Sequence, residues 1–167
     1  MTATNTPLHK SRIDLPEATR RTMIAVLNDR LADCIDLQTH AKQAHWNVKG
    51  PDFIQLHLLF DSINGHVAAH VDSLAERAAA LGGTAIGTAT EVAKRTKLKA
   101  YPLSATTGQQ HLEALAGSLA GFGSQARAAI ATADQSGDAD TTDLFTQISR
   151  AIDQDLWMVE AHLQAAS

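Results

Sequence analysis

The chain holds one cysteine, Cys34, among 167 residues. That count excludes a disulfide framework and a thiolate zinc site, and Cys34 sits in an apolar helical pattern that calls for a small packing residue. Proline is scarce, with four residues, and aromatic side chains make up only 4%. Sheets draw on aromatic and β-branched residues, so a chain short of aromatics and rich in Ala and Leu points to an all-α fold of long helices. Apolar runs are short as well. None nears the roughly 18 residues of a membrane span, and the opening MTATNTPLHK lacks the apolar segment of a secretory signal. The expectation is a cytoplasmic protein with no membrane partner. Positive charge is in deficit too: 14 Lys and Arg stand against 18 Asp and Glu, and the net charge of −4 gives no general attraction to nucleic acid.

What is present is helical periodicity, in four long segments of one domain. A tail over residues 1–13 reads as flexible and the domain as residues 14–167. The first helix is expected to open at Asp14-Leu15-Pro16-Glu17, where Asp14 and Glu17 have capping-box spacing. Ile24, Leu27, Leu31, Cys34 and Ile35 line its apolar face, and Gly50-Pro51 stops it. Asp52 caps the second, which carries Phe60, Ile63, Val67, Val71, Leu74, Ala78 and Leu81 and ends at Gly82-Gly83. A third begins near Thr107, with Gln110 at capping-box spacing, and a fourth follows Ser136-Gly137-Asp138. The intervening TAIGTATEVAKRTKLKAYPLS is too long for a tight turn between antiparallel neighbours. A ferritin-like four-helix bundle needs such a long crossover between its second and third helices, with room for a short helix of its own.

The hairpin AHWNVKGPDFIQLHLLFD carries His45, His57 and Asp61. His45 precedes Gly50 by the same five residues by which His57 follows Asp52, so both imidazoles sit at one height in an antiparallel pair. Asp61 is one turn beyond His57. Two imidazoles and a carboxylate suit a borderline cation such as Fe²⁺ or Zn²⁺. Asp72 and Glu76 form a second acidic pair further along the same helix. With roughly 100° per residue and His57 at 0°, Asp61, Asp72 and Glu76 fall at about 40°, 60° and 100°, while the core stripe centres near −80°. The ligand face is therefore off the bundle interior, and it is shared by Leu58, Gly65, Ala68, Ala75 and Ala79, small or apolar residues that let another helix approach.

His57 and Asp72 stand roughly 22 Å apart along a straight helix, too far to serve one metal within a chain. An antiparallel copy of the same helix solves this. The residue pairs 57/76, 61/72 and 65/68 share one midpoint, so a two-fold axis there sets His57 and Asp61 opposite Asp72 and Glu76 of the copy and brings Gly65 and Ala68 together at the axis. The expectation is an isologous dimer with two identical sites, each of His45, His57 and Asp61 from one chain and Asp72 and Glu76 from the other.

The segments AHWNVKGPDF, HVDSLAERAAALGGTAIGT and RAIDQDLWMVEAHLQ closely resemble the Dps family of mini-ferritins (DNA-binding proteins from starved cells), over residues 17–165. His45, His57, Asp61, Asp72 and Glu76 each fall on the family's ligand positions. The Glu-x-x-His motif that ordinary ferritins carry inside each bundle is absent. The resemblance implies a hollow homo-dodecamer built from two-fold dimers, with two irons at each inter-subunit ferroxidase centre and Fe³⁺ stored inside. It implies hydrogen peroxide as the preferred oxidant, with O₂ the alternative. Two Fe²⁺ held together give two electrons to one peroxide, whereas free Fe²⁺ gives one and releases hydroxyl radical. Zn²⁺ is expected to compete for the same ligands. Lys42 and Trp46 flank the site at family positions; Trp46 either intercepts stray oxidising equivalents or packs as an ordinary indole.

Asp134, Asp138, Asp140 and Asp143 cluster where Dps shells form three-fold pores for Fe²⁺. Asp143 is the best candidate, followed by Asp134 and Asp140, against plain turn and N-cap chemistry for Asp138 and Asp140. His66 and His70 fall near 180° and 220° on the same count, away from the ligand face, and read as structural or exposed. His40, His111 and His162 show no partner pattern, and Trp157 and Met158 read as core. A competing function is DNA compaction in the nucleoid, with ferroxidase activity secondary. Family members that bind DNA use Lys/Arg-rich tails, and here the tail offers only Lys10 and Arg12, so DNA binding is expected to be weak or absent. A di-metal oxygenase would need a substrate pocket that the small-residue interface leaves little room for.

Overall fold

The computed structural model of the chain describes residues 7–164. Its helices, in order, are α1 (Glu17–Asn47), α2 (Phe53–Ala80), α3 (Ala89–Arg95), α4 (Gly108–Gln135) and α5 (Ala139–Leu163), with no strand among the described residues. α1 with α2 and α4 with α5 form two hairpins that pack as a four-helix bundle, α1 lying against α4 and α2 against α5. The crossover from Leu81 to Thr107 carries α3 over α1.

Apolar stripes drive this packing. Leu27, Leu31 and Cys34 of α1 meet Phe60, Ile63, Val67, Leu74 and Ala78 of α2 in one core, completed by Phe122 of α4 and Phe145 of α5. Ile24, Ile35 and Val71 lie at its margin, half-buried. Each large side chain fully removed from water contributes about 1.5–3 kcal/mol. Cys34 is a packing residue as expected: its thiol donates to the Val67 carbonyl at 3.7 Å, and burial pushes its pKa up.

Of the expected N-terminal caps, the one at α4 forms through its side chains, whereas those at α1 and α2 do not. At α4, Gln110 N donates to Thr107 Oγ1 at 3.3 Å and Thr107 N donates to Gln110 Oε1 at 3.2 Å, a complete capping box. At α1 the expected Asp14/Glu17 box does not form; Pro16 takes the N-cap position with no side-chain cap bond. A proline ring has no N–H to offer a cap at Asp14 and holds Leu15 in extended geometry, so the helix starts only after it. Glu17 pairs instead with Arg21 at 2.8 Å. Asp52 stands at the N-cap of α2, but its side chain makes no cap bond. α2 ends as expected, with Gly83 N on Ala78 O at 3.0 Å and Gly82 at φ 89°.

Gly82 also admits the N-terminal segment. His9 N donates to Gly82 O at 2.8 Å, and a Cβ at position 82 would lie 2.5 Å from the His9 carbonyl oxygen. Ser11 Oγ reaches Ala80 O at 3.4 Å, and Ile13 packs on the core. Residues 7–13 of the expected free tail are thus a strap laid on the end of α2; residues 1–6 lie outside the described residues.

Buried polar side chains of α1 hold the crossover. Asn28 Nδ2 donates to Thr84 O at 3.0 Å, and its Oδ1 accepts from Ile86 N at 2.8 Å. Asp33, fully buried, accepts from Lys97 N at 2.7 Å and pairs with Arg30, while Asp36 accepts from Thr96 Oγ1 at 2.8 Å. These bonds satisfy crossover backbone that has no helical partner.

Candidate metal centre

The α1–α2 hairpin brings His45 and His57 face to face, their rings stacked with centroids 3.7 Å apart. His45 Nδ1 donates to the His57 carbonyl at 2.8 Å, and His57 Nδ1 donates to the His45 carbonyl at 2.9 Å. A carbonyl only accepts, so both rings carry a proton on Nδ1, and in that neutral tautomer the lone pair lies on Nε2. A backbone bond at one ring nitrogen orients an imidazole so that its other nitrogen can bind a metal. Phe53 leans on His57 at 5.1 Å.

Asp61 lies one turn along α2, with its Oδ1 3.9 Å from His45 Nδ1. The Lys42 ammonium bonds it directly, and this bond is the main reason the Asp61 carboxyl is held below the usual carboxylate range. Asp72 and Glu76 are exposed further down α2. Among the described residues no three His, Cys, Asp or Glu side chains of one chain close on a point that could hold a metal ion. The structure thus gathers His45, His57 and Asp61 at the hairpin and leaves Asp72 and Glu76 apart from them.

The face between these groups is open. No side-chain atom lies within 4 Å of where a Cβ on Gly65 would stand, and Ala68 is half-buried. Large apolar side chains rim the histidines: Trp46 is 68% exposed, Ile54 54% and Leu58 60%. By the helical count Ile54 and Leu58 stand at about 60° and 100°, on the face that carries Asp61, Asp72 and Glu76.

The other residues singled out from the sequence take different places. Asp138 is buried and leaves the pore set, because its carboxylate caps α5 through Thr141 N at 3.0 Å and Thr141 Oγ1 at 2.6 Å and pairs with Arg77 at 2.7 Å. Asp134, Asp140 and Asp143 are exposed, Asp140 within 3.7 Å of Arg77. His66 and His70 turn toward α5, as their angles require, and His66 Nδ1 lies 2.9 Å from the buried Asp155. Trp157 corrects the expectation of a core residue: it is 63% exposed, its position on α5 facing away from the other three long helices, and Met158 is only half-buried. His162 is exposed, whereas His40 and His111 are buried in polar contacts that sequence spacing did not signal. The crossed Nδ1 bonds of the histidine pair were also invisible in the sequence, since they depend on how closely two helices approach.

A bundle of four long helices with an intervening crossover helix, bearing imidazoles and carboxylates on helix faces, defines a ferritin-like protein, and residues 24–167 match the Ferritin-like domain family. The chain is 45% identical to the "DNA protection during starvation protein" of Agrobacterium fabrum, over 95% of this chain and 98% of that protein. Its fold is similar to that of DpsC from Streptomyces coelicolor, with TM-score 0.91 and 30% identity over 96% of this chain and 94% of that one. The Dps of Mycobacterium smegmatis gives TM-score 0.90 and 29% identity over 96% of each chain. The chain belongs to the Dps family of mini-ferritins.

Proposed function

We propose that this protein is a ferroxidase that oxidises Fe²⁺ at centres shared between two subunits and stores the Fe³⁺ in a closed homo-oligomeric shell, a dodecamer as in the family it resembles. The observation that carries the proposal is the stacked His45/His57 pair, whose Nδ1 atoms are taken up by backbone carbonyls, with Asp61 beside it and exposed apolar side chains around it. Each centre combines His45, His57 and Asp61 with Asp72 of the partner subunit and Glu76 of the partner subunit. Fe²⁺ is the substrate. Imidazole and carboxylate ligands suit it while leaving positions open for an oxidant. Two Fe²⁺ deliver two electrons to one hydrogen peroxide, which takes up two protons and leaves as water, so no hydroxyl radical is released. Lys42 keeps Asp61 ionised and must give way as metal enters. Zn²⁺ competes for the same donors. Asp134, Asp140 and Asp143 supply the acidic lining through which Fe²⁺ reaches the interior.

Subunit mixing tests the shared site. A variant with His57→Ala and Asp61→Ala and another with Asp72→Ala and Glu76→Ala should each lose fast Fe²⁺ oxidation in stopped-flow measurements. In a mixed dimer one site collects every defect and the other is intact, so random co-assembly should restore roughly a quarter of the sites. Mixed shells as inactive as their parents, with mixing verified by native mass measurement, would overturn the shared centre.

A further inference from the structure

Tyr101 is the only tyrosine in the chain, and the crossover presses it, half-buried, against α4. Its hydroxyl lies 2.7 Å from His111 Nδ1, and the two rings are within 20° of coplanar, so the phenol O–H points along the imidazole lone pair. Burial pushes the Tyr101 pKa up, which makes it a neutral phenol and the donor. Burial pushes the His111 pKa down, which keeps the resting ring neutral and its Nδ1 open as the acceptor. The far side of that ring is buried. His111 Nε2 faces the carbonyl of Asn47, the last residue of α1, without closing a well-formed hydrogen bond. An imidazolium there would meet a carbonyl at the negative end of a long helix. The other ring against Tyr101 is His40, at 5.2 Å, itself held by Ser118 at 2.9 Å and Asp36 at 3.4 Å.

We infer that Tyr101 and His111 form a proton-coupled electron-donor site, which gives one electron to a strong one-electron oxidant of the hydroxyl-radical class. The electron leaves the phenol ring for the oxidant. The phenolic O–H bond breaks, and its proton crosses the 2.7 Å bond to His111 Nδ1, leaving a neutral tyrosyl radical beside an imidazolium. An oxidised phenol is a far stronger acid than imidazolium, so even a ring made less basic by burial takes the proton. The site abuts Asn47, next in sequence to Trp46 and two residues after His45. Nothing in it requires a bound metal.

The test uses the full-length, assembled, iron-free protein and photogenerated tris(bipyridine)ruthenium(III) as oxidant, so its failure would leave the ferroxidase proposal untouched. Electron paramagnetic resonance should show a neutral tyrosyl radical. Growth on 3-fluorotyrosine alters this one residue without changing the chain, and it should change the hyperfine pattern. Tyr101→Phe should remove the signal. Deuterated solvent should slow the oxidation, and His111→Gln should slow it by about a hundredfold, the low end of what a placed proton acceptor contributes. A radical found only on Trp46 or Trp157, or a tyrosyl radical formed equally fast in His111→Gln, would overturn the inference; the fluorotyrosine experiment decides it should that variant not fold.

Discussion

Single side chains here do work that depends on which of their atoms is left unbonded. His45 and His57 each use Nδ1 on the other's backbone, so the hairpin itself sets the orientation of both rings. His70, His40 and His111 are the opposite case: burial is the largest cause of a lowered pKa in all three, and they are held neutral inside the fold. A histidine whose folded pKa is lowered binds its proton more readily when unfolded. Its stabilisation is therefore present above the ordinary histidine pKa of about 6.5 and is lost as the pH falls from there toward the folded value, at about 1.4 kcal/mol per unit of difference. Buried Asp155, with its pKa raised chiefly by desolvation, acts with the opposite sign and lower on the scale, where the unfolded carboxyl ionises first. Urea midpoints measured between pH 7 and pH 5.5 should fall, and they should fall less in His70→Gln; an identical pH slope in that variant would count against a neutral His70.

Helices and connections divide the labour between them. α1 carries the buried polar groups that hold the crossover, and Asn28 alone answers two backbone groups of that segment. Asn28→Ala would leave the Thr84 carbonyl and the Ile86 N–H without partners, at about 1–3 kcal/mol for each group that stays buried. Denaturant unfolding should show the loss, and hydrogen exchange should rise in residues 84–97 before it rises in α4. α2 has one face in the core and another that carries the proposed ligands and small residues. Ala68→Arg sets a long charged side chain on the second face, where the proposed two-fold axis passes. An unpaired buried charge costs about 3–5 kcal/mol. The dimer should weaken in sedimentation measurements and Fe²⁺ oxidation should fall with every ligand intact; an unaltered assembly with full activity would move the axis elsewhere.

As a whole the molecule is a net-negative bundle whose N-terminal strap is held down from His9 onward. Lys10 and Arg12 are exposed on that strap. They are therefore fixed to the bundle and cannot reach along a phosphate backbone as a mobile basic tail would. Repetition around a shell multiplies a weak contact, but at about 0.15 M salt, where charges are screened beyond about 8 Å, no stable plasmid complex is expected in a gel shift. A complex that persists there and vanishes on deleting residues 1–13 would assign the protein a direct DNA role. Among the described residues no helix is long and apolar enough to cross a membrane.

The helices and the crossover were legible in the chain before any packing was known, because a period of 3.6 residues and the residues that stop a helix are local properties. The sequence also placed His45 opposite His57, since a short hairpin leaves little freedom in register. Where local chemistry competed, tertiary structure decided. Pro16 displaced the cap that Asp14 and Glu17 spelled out, and Asp138 went to the α5 cap and Arg77 rather than to solvent. Trp157 stayed exposed, and residues 7–13 found the carbonyls of Ala80 and Gly82 at the end of α2, far away in sequence. Tyr101 and His111 met only because the crossover folds back on α4. Such pairings join residues with no common period, so only the closed bundle, which fixes which buried polar atoms must find a partner, could select them.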